Sequence, residues 1–591
     1  MADEGTFSEF QVDPCPWIPV LAAVKITEAD MKRKMDLLCQ GLCWAFLFLS
    51  GVVQAQTFSV LYNFGSNSGD PNKPAYSGII AQGRDGNLYS TAPGGGTCCG
   101  ALFQITPAGK LKNMHNFTGS NNDGAFPQGG VTLGTDGNFY GTTYEGGSAT
   151  AGAVFKVTPG GSATTLYSFT GGGDGAYPYA PPVEGNDGNF YGTTTAGGNT
   201  VACGSGCGTI YKITPAGALT TLYQFDITHG YAPYGPLVLG TDGNFYGTAP
   251  YGTSFNAGVI FRITPAGKFT LLFSFDLTHG ENPFSGLVQG ADGNFYGTTI
   301  YGGTTGGGVV FKITPSGKLT VLHTMNGTTD GARPFGGLVL ASDGNFYGAN
   351  AYGGTVNSNC ADGCGTFFRI TPKGAYSVLY KFDFATGATS EITPFQHTSG
   401  VVYGDSQVGG TGNVSPCAAG LCGVFYSWKN TSLPAFVSLL PYSGKVGTTV
   451  EFLGQGFKGT TTVSFSGTAA KFQIVSDTYL TATVPDLATT GSVTVKTSAG
   501  TLASNKVFRV TPQILSFNPT SGAVGTNVTI TGVSLKQATK VAFGGVAATG
   551  FTANSDKKVT ATVPTGAQTG HITITTPGGV AVSRGVFTVT Q

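Results

Sequence analysis

Short runs of apolar residues recur along most of this chain, and turn residues separate them. Four such runs, rich in β-branched and aromatic residues, follow one another near the middle: Gly286–Gln289, Asn294–Thr299, Val309–Thr314 and Leu319–Met325. Apolar and polar side chains alternate in the third run, and no stretch has helical spacing over several turns. The pattern predicts four antiparallel strands per unit, which we name a to d in chain order.

This unit returns along the chain at a nearly constant interval. The triplet Asp-Gly-Asn, between strands a and b, begins at Asp85, Asp136, Asp187, Asp242, Asp292 and Asp343. Successive copies are 50 to 55 residues apart. A four-stranded unit with a period of this size is typical of a β-propeller, in which four-stranded blades surround a central channel.

The ends of the repeat predict how the propeller closes. A strand d motif, Ser59–Phe64, precedes any complete set of strands a to c, and the last set, Gly400–Asp405 with Gly423–Trp428, lacks its own strand d. Closure removes free sheet edges, which invite aggregation. We therefore expect an all-β, seven-bladed propeller over residues 56–430, closed by the N-terminal strand beside Tyr403 and Phe425. An open solenoid is the alternative.

Two further segments follow, 434–511 and 512–591, and they repeat one another. Each begins with P-x-S-G-x-V-G, at Pro441 and Pro519, and later contains T-A-T-V-P, at Thr481 and Thr560. Short strands with turns between them, over about 80 residues, predict a β-sandwich in each segment.

The N-terminus carries the features of an export signal. A basic segment begins at Met31, a short apolar run covers Trp44–Val53, and Val53-Gln54-Ala55 is a small-x-small cleavage site. These features predict a signal peptide over 31–55, cleaved after Ala55, with residues 1–30 upstream of the true start. An uncleaved anchor is the alternative.

The apolar run is short for a membrane span, so the mature chain is expected to have no membrane span and to be secreted or on the cell surface. The last residues carry no recognisable anchoring signal, which leaves attachment to the cell open.

Eight of the 11 cysteines form close pairs, and the second cysteine of each pair directly precedes Gly and strand c. The pairs are Cys98/Cys99, Cys203/Cys207, Cys360/Cys364 and Cys417/Cys422. Even, local pairing in an exported chain predicts disulfides that close the loops between strands b and c. Pairing of Cys98 with Cys99 stays open, because adjacent cysteines form a strained ring.

Alternating strand direction separates the two faces of such a propeller. The short a–b and c–d turns share one face, and the longer b–c and d–a loops share the other, where function tends to reside. Aromatic faces beside short polar groups suit sugar rings or peptides. The candidate ligand-binding residues on this face are Tyr177, Tyr179, Tyr231, Tyr234, Phe284, Arg333 and Phe335. The alternative is that these aromatic residues pack between blades.

Little in the sequence indicates catalysis. We find no nucleophile elbow, H-E-x-x-H or phosphate loop, and Glu145, Glu184 and Glu281 fall in non-equivalent contexts. Asp-Gly-Asn is interpreted as a hairpin turn rather than a calcium site, and His229 and His279 as turn residues. We therefore assign no catalytic residue and expect no cofactor and no metal.

Lys+Arg and Asp+Glu balance at 30 each, with no basic stripe, so nucleic acid is not an expected partner.

Two resemblances add to this prediction. D-G-N-F-Y-G-T-T, F-K-I-T-P-x-G and L-Y-x-F, over residues 57–428, resemble the GloVer tandem repeat of bacterial choice-of-anchor proteins. The two C-terminal segments resemble IPT/TIG domains, an immunoglobulin-like family. The resemblance implies export, a surface location and immunoglobulin-like spacer or binding modules, with no established activity.

We therefore expect a secreted or surface binding protein. Its propeller face would recognise extracellular carbohydrate or a surface protein, and its immunoglobulin-like domains would serve as a stalk. A polysaccharide-active lyase or hydrolase with its site over the channel, and a structural envelope protein, are the alternatives.

Overall fold

The computed structural model describes residues 56–74, 79–120, 122–413, 417 and 421–591. The predicted signal peptide and the upstream extension lie outside these residues. Within them the chain is all-β, with a single short 3-10 helix at Phe457–Gly459. None of the described helical residues forms a helix with the length and hydropathy of a membrane span.

The repeats fold into seven four-stranded antiparallel sheets in the described part of the chain. Strands a to d of each sheet have the following bounds: sheet 1, Ala81–Gln82, Leu88–Ala92, Ala101–Ile105 and Leu111–Asn116; sheet 2, Val131–Leu133, Phe139–Thr143, Ala153–Val157 and Ala163–Ser168; sheet 3, Val183–Glu184, Phe190–Thr194, Thr209–Ile213 and Leu219–Gln224; sheet 4, Val238–Leu239, Phe245–Ala249, Val259–Ile263 and Phe269–Ser274; sheet 5, Val288–Gln289, Phe295–Thr299, Val309–Ile313 and Leu319–Thr324; sheet 6, Val339–Leu340, Phe346–Asn350, Thr366–Ile370 and Tyr376–Lys381; sheet 7, Phe395–Gln396, Val402–Asp405, Val424–Asn430 and Gln56–Asn63.

Sheet 7 is composite, and its strand d comes from the start of the described chain. Gln56–Asn63 pairs antiparallel with Val424–Asn430, and Phe58 lies opposite Trp428. The predicted pairing of the N-terminal strand is therefore confirmed. Sheet 7 shares one buried apolar cluster with sheet 6, around Trp428, and another with sheet 1, around Phe425. The arrangement is propeller-like.

The Asp-Gly-Asn triplet forms the turn between strands a and b, as the sequence indicates. In sheet 5, Asp292 Oδ1 accepts a hydrogen bond from the backbone N–H of Asn294 at 3.1 Å. Its Oδ2 accepts from the Asn294 amide at 2.7 Å and from the Tyr296 hydroxyl at 2.8 Å. Gly293 has φ +79°, a left-handed conformation that glycine adopts without steric cost. The aspartate therefore ties the turn to the strand that follows it.

The same tyrosine joins five of the seven sheets to the sheet that follows. Its ring is buried and stacks on the first phenylalanine of strand b in the following sheet, with centroids 3.8 to 4.1 Å apart. The stacked pairs are Tyr89–Phe139, Tyr140–Phe190, Tyr191–Phe245, Tyr246–Phe295 and Tyr296–Phe346. In sheets 2 to 5 the residue after this tyrosine is glycine, which leaves room for a strand c aromatic ring, since a Cβ at Gly297 would lie 2.7 Å from the Phe311 ring. The stacked tyrosine and phenylalanine thus set the spacing between these sheets.

Two β-sandwiches follow the repeats. The first contains Ser438–Leu440, Thr449–Leu453, Tyr479–Thr483 and Phe472–Ile474 facing Thr468–Ala470, Thr462–Phe465, Val493–Thr497 and Gly500–Ala503. The second contains Gln513–Asn518, Asn527–Val533, Lys558–Thr562 and Phe551–Ser555 facing Ser521–Gly522, Gly579–Val589, Gly570–Thr576, Lys540–Phe543 and Val546–Ala547. Each has its own buried apolar core. Three two-stranded sheets complete the described strands: Ser443–Gly444 with Arg509–Val510, Pro71–Asn72 with Gly94–Gly95, and Gly124–Ala125 with Glu145–Gly146.

The first sandwich packs on the turn face of the repeats. The guanidinium of Arg84 pairs with the Glu451 carboxylate at 2.9 Å and lies 4.9 Å from the centre of the Tyr479 ring. The Thr478 hydroxyl donates to the Arg84 carbonyl at 2.8 Å, and Leu453 is buried against sheets 1 and 2. These contacts cover part of the turn face, so the loops lie on the face away from the sandwich.

We expect the tyrosine at the sheet junction to dominate stability. Tyr296→Phe removes the hydrogen bond to Asp292 and should lower the free energy of unfolding by about 1 kcal/mol. Tyr296→Ala also removes the stacked ring and should lower it by about 3 to 5 kcal/mol. Urea unfolding measures both. Tyr223→Phe is the matched control, because the Tyr223 ring stacks on Phe269 at 4.1 Å without an aspartate acceptor for its hydroxyl. Equal losses in Tyr296→Phe and Tyr223→Phe would contradict this role for Asp292.

Candidate functional site

Every loop from strand d to the next strand a has a residue in the left-handed backbone region at an equivalent place. These residues are Lys73, Phe126, Tyr177, Ala232, Asn282, Arg333 and Thr389, with φ between 51° and 55°. All but Thr389 precede proline, a position that normally favours extended backbone. Non-glycine residues are uncommon in this region, so the surrounding contacts must hold the conformation.

A hydrogen bond to the neighbouring b–c loop holds each of these residues. The N–H of Arg333 donates to the Gly307 carbonyl at 2.9 Å, and that of Tyr177 donates to Ala151 at 2.8 Å. In four of the seven loops the acceptor is the carbonyl of a cysteine: Cys422, Cys99, Cys207 and Cys364, with distances of 2.8 to 3.3 Å. The two kinds of loop are therefore bonded together on one face.

The four predicted disulfides are present: Cys98–Cys99, Cys203–Cys207, Cys360–Cys364 and Cys417–Cys422. Cys98 pairs with Cys99, which the sequence left open. In each pair the second cysteine supplies the carbonyl that accepts from the left-handed residue. The disulfides thus fix the hydrogen-bond acceptor of four of the seven loops, among them the loop of Ala232.

The residue two places after the left-handed residue is aromatic in four consecutive loops. Tyr179 meets Tyr234 edge to face at 5.0 Å, Tyr234 stacks on Phe284 at 4.7 Å, and Phe284 meets Phe335 edge to face at 6.2 Å. We name these four residues the aromatic row. The structure brings together side chains whose positions differ by more than 150 residues along the chain.

Other candidates extend the aromatic row on one side. Tyr177 stacks on Tyr144 at 5.0 Å, and Tyr144 meets Tyr179 edge to face at 6.1 Å. In the same way Tyr231 stacks on Tyr251 at 5.2 Å, and Tyr251 meets Phe284 at 5.9 Å. Six of the seven predicted residues are therefore joined through ring contacts.

Arg333 is the seventh candidate, and its contacts are of another kind. Its guanidinium lies 5.2 Å from the centre of the Tyr301 ring and 4.9 Å from that of Tyr352. Attraction between a cation and the faces of two rings holds this charge beside the aromatic row.

The aromatic side chains are half-buried, apart from Tyr179, which is buried. Burial, and to a smaller extent the neighbouring Tyr251 and Tyr144, raises the pKa of Tyr234 to about 12. Burial likewise raises the pKa of Tyr144 and of Tyr251. These hydroxyls stay protonated at neutral pH, so the surface combines apolar ring faces with neutral hydrogen-bond donors.

Sheet 7 departs from the repeat and places two carboxyl groups near this face. Glu391 lies two places after Thr389, where four other loops have an aromatic residue, and Asp405 takes the place of Thr298 in strand b. Glu391 is 3% exposed and Asp405 is 1% exposed. Glu391 Oε2 and Asp405 Oδ1 have no hydrogen-bond partner among the described residues. Burial raises the pKa of Glu391 to about 8 and raises that of Asp405 well above its usual range.

Sequence reasoning missed both carboxyl groups. It weighed Glu145, Glu184 and Glu281, which stand in recognisable loops and strands. Aligning T-S-E-I at Thr389 with R-P-F-G at Arg333 would have placed Glu391 in the aromatic position. The irregular spacing of the last unit hides that alignment.

The two histidines occupy turns, as predicted. His229 Nδ1 lies 2.9 Å from an Asp226 carboxylate oxygen, and His279 Nδ1 lies 2.8 Å from one of Asp276. Both are nearly half exposed. Across the residues that the structure describes, no group of three or more His, Cys, Asp or Glu is placed to hold a metal ion.

Glu391 should make the stability of the protein depend on pH. A carboxyl whose pKa is raised by folding stabilises the fold fully below 4.5, its ordinary value, and loses that contribution as the pH rises toward 8. The free energy of unfolding should fall by at most about 1.4 kcal/mol per pH unit for this group. Urea midpoints at several pH values between these limits should show a slope that Glu391→Gln reduces. Asp405→Asn is the matched variant and should reduce the slope by a separate amount. An unchanged slope in Glu391→Gln would contradict the assignment of this pH dependence to Glu391.

Comparison with known proteins places the chain in a family. The Gloeobacter/Verrucomicrobia repeat matches residues 50–237 and 200–417, which is more than half of the chain. The IPT/TIG domain matches residues 434–510 and 512–589. No curated protein sequence matches the chain.

Several solved structures resemble parts of it at low identity. A fungal alcohol oxidase of the AA5 family, in complex with copper, is 14% identical, with 77% of this chain and 99% of that chain covered and a TM-score of 0.44. A protein of unknown function from Bacteroides thetaiotaomicron is 14% identical, with 64% and 76% covered and a TM-score of 0.36. A surface glycan-binding protein from Prevotella bryantii is 19% identical, with 27% and 39% covered and a TM-score of 0.21. Similarities of this size carry no inference about ligand or activity.

The repeated sheets and the two sandwiches agree with the sequence matches. The chain belongs to the Gloeobacter/Verrucomicrobia repeat family and carries two C-terminal IPT/TIG domains.

Proposed function

We propose that this protein is a secreted or cell-surface binding protein whose aromatic row recognises carbohydrate. The observation that carries the proposal is the continuity of the row: four aromatic rings from consecutive loops contact one another, with centroids 4.7 to 6.2 Å apart. Half-buried ring faces offer apolar area to the C–H faces of sugar rings, and tyrosine hydroxyls offer polar tips.

Preorganisation of the loops supports the same function. Each loop on this face is held by a backbone hydrogen bond at its left-handed residue, and four of these bonds run to disulfide-linked cysteines. A rigid surface loses little conformational entropy on binding, which favours affinity for weakly interacting ligands such as sugars.

The proposed location follows from the disulfides. Four disulfides persist only in an oxidising environment, such as the bacterial periplasm or the cell surface. The signal peptide predicted over 31–55 would direct export to such a compartment.

We further propose that the seven sheets are blades of one closed ring, with the loops around one mouth of its channel. Each sheet shares a buried cluster with the next, and sheet 7 shares clusters with both sheet 6 and sheet 1. Closure would hold the loops of distant repeats at fixed positions around the binding face.

The two IPT/TIG domains would then act as a stalk. The first packs on the turn face through Arg84 and Glu451, opposite the aromatic row. The second is attached to the first, since Gln537 Oε1 accepts from the Thr490 N–H at 2.8 Å and Arg509 Nε donates to the Pro577 carbonyl at 3.0 Å. Such a stalk would hold the binding face away from the cell.

A polysaccharide-active enzyme is the second candidate, and one observation favours it. Glu391 and Asp405 are buried carboxyls with raised pKa values in the same sheet, a feature common at catalytic sites. Release of reducing ends from a polysaccharide, abolished in Glu391→Gln, would support an enzyme; binding without product supports the first proposal.

Loss of rings from the aromatic row should weaken carbohydrate binding. We expect Tyr234→Ala and Phe284→Ala each to bind roughly tenfold more weakly, because each removes a stacking surface. Affinity gel electrophoresis against a panel of soluble neutral and acidic polysaccharides measures the effect. Tyr223→Ala is the matched control, since Tyr223 lies on strand d of sheet 3 and stacks on Phe269. If the control weakens binding as much, or if neither variant of the row does, the proposal is wrong.

Removal of the N-terminal strand tests closure of the ring. A chain that begins after Asn63 loses strand d of sheet 7, which exposes the aromatic cluster around Trp428. We expect the melting temperature to fall by about 10 °C or more, together with self-association through the open edge. A synthetic peptide of residues 56–64 should restore part of the loss. An unchanged melting temperature would show that sheet 7 does not depend on this strand.

A further inference from the structure

One d–a loop has a polar side chain at the place where the four loops before it have an aromatic residue. Two places after the left-handed residue stand Tyr179, Tyr234, Phe284 and Phe335 in four loops, but Glu391 in the loop that follows them. The polar member therefore stands at one end of the aromatic row in loop order.

We propose that Glu391 is the polar anchor of the carbohydrate site, and that its protonated carboxyl donates a hydrogen bond to an oxygen of a neutral polysaccharide lying on the aromatic row. This inference rests on the proposed function and names the class of ligand and a further residue that selects it.

The backbone of the Glu391 loop matches that of its neighbour. Thr389 has φ 54°, its N–H donates to the Cys364 carbonyl at 3.3 Å, and its carbonyl accepts from the Gln407 N–H at 3.1 Å. Arg333 has φ 52° and makes the same two bonds, to Gly307 and from Ala351. The matching conformation and bonds place Glu391 and Phe335 at equivalent positions of their loops.

The two loops are in direct contact at this position. A Cβ at Gly336, the residue after Phe335, would lie 2.0 Å from the Ile392 carbonyl oxygen and 3.1 Å from that of Glu391. Only a glycine permits this approach. Glu391 therefore continues the order of the aromatic row.

An unsatisfied oxygen supports a binding role independently of the sequence alignment. Buried polar atoms nearly always have a hydrogen-bond partner, and leaving one without a partner costs about 1 to 3 kcal/mol. Glu391 Oε2 has none among the described residues. Gln128, which holds the same place in the loop between sheets 1 and 2, also has a buried oxygen without a described partner, Oε1. Glu391 and Gln128, the two polar residues at this place in their loops, therefore each have a buried side-chain oxygen without a hydrogen-bond partner among the described residues.

The surroundings of Glu391 favour a neutral ligand group. Ser390 hydrogen-bonds to the Asp405 carbonyl at 2.7 Å and lies 3.1 Å from the Tyr426 hydroxyl, which places these two titratable residues on the strands packed against the loop. Burial raises the pKa of both, which favours the neutral form of each. The cation of Arg333 already lies over Tyr301 and Tyr352. A charged sugar would lose solvation here without a counter-ion, whereas a hydroxyl group would not.

Ionisation should then switch the contact off. Burial raises the pKa of Glu391 to about 8. The carboxyl is therefore protonated at pH 6.5, whereas at pH 9.0 it is ionised in roughly nine molecules out of ten. The tyrosines of the face do not titrate in this interval, because the pKa of Tyr234 is about 12 and those of Tyr144 and Tyr251 are raised. The pH range from 6.5 to 9.0 therefore isolates Glu391 from the phenols.

The test uses the full chain and polysaccharides of known structure. Mixed-linkage β-glucan, galactomannan and xylan serve as neutral probes, and polygalacturonate serves as the acidic probe, in affinity gels at pH 6.5 and 9.0. The wild type should bind at least one neutral probe roughly tenfold more weakly at pH 9.0, in proportion to the protonated fraction. Glu391→Gln, which keeps a donor without a charge, should bind equally at both pH values and as tightly as the wild type at pH 6.5. Glu391→Ala should bind weakly at both, and Asp405→Asn should keep the pH dependence.

Other outcomes overturn the inference. Tighter wild-type binding at pH 9.0, or weak binding of Glu391→Gln at pH 6.5, would mean that the carboxylate accepts rather than donates. Retardation by polygalacturonate alone would mean an acidic ligand. If Tyr234→Ala loses binding while the Glu391 variants bind as the wild type does, the proposed function stands and this inference is wrong. Normal binding in both Tyr234→Ala and Phe284→Ala, or no retardation by any probe, would overturn both the proposed function and this inference. Circular dichroism at both pH values confirms that each variant is folded.

Discussion

In five of the seven sheets, one tyrosine makes the two contacts on which the rest of the structure depends. Its hydroxyl donates to the aspartate of the a–b turn, and its ring stacks on the first phenylalanine of strand b in the next sheet, as in Asp292, Tyr296 and Phe346. One side chain therefore fixes both the local hairpin and the distance between sheets. Because the stacking distance varies only between 3.8 and 4.1 Å, sheets 1 to 6 are evenly spaced and their loops fall at regular positions.

Regular loop positions make a shared surface possible. The left-handed residue of each d–a loop bonds to the neighbouring b–c loop, and the disulfides hold four of the acceptors in place. Tyr179, Tyr234, Phe284 and Phe335 then lie next to one another, although each belongs to a different repeat. Strain in the loop backbone is compensated by these bonds, and the result is a row of aromatic rings on a rigid support.

Sheet 7, the composite sheet, departs from the sequence pattern of the other sheets. Sheet 7 takes one strand from the start of the described chain and replaces an aromatic residue and a threonine with Glu391 and Asp405. Both carboxyl groups are costly to bury, and neither is needed for the pattern that the other sheets follow. Departures from a consistent local pattern are expected at functional sites, which is why we assign the polar part of the ligand site to this sheet.

Much of the fold followed from the sequence, because its determinants are local. The Asp-Gly-Asn turns, the alternation within strands and the likeness of Ser59–Phe64 to later d strands involve residues close in sequence or repeated in kind. They predicted the strands to within about three residues and the pairing of the N-terminal strand. Only the tertiary structure decided that Cys98 pairs with Cys99, that the rings join into one row, that the first sandwich packs on the turn face, and that Glu391 and Asp405 are buried. Turn geometry depends on a few neighbouring residues, whereas burial and ring contact depend on which distant segments arrive at the same place.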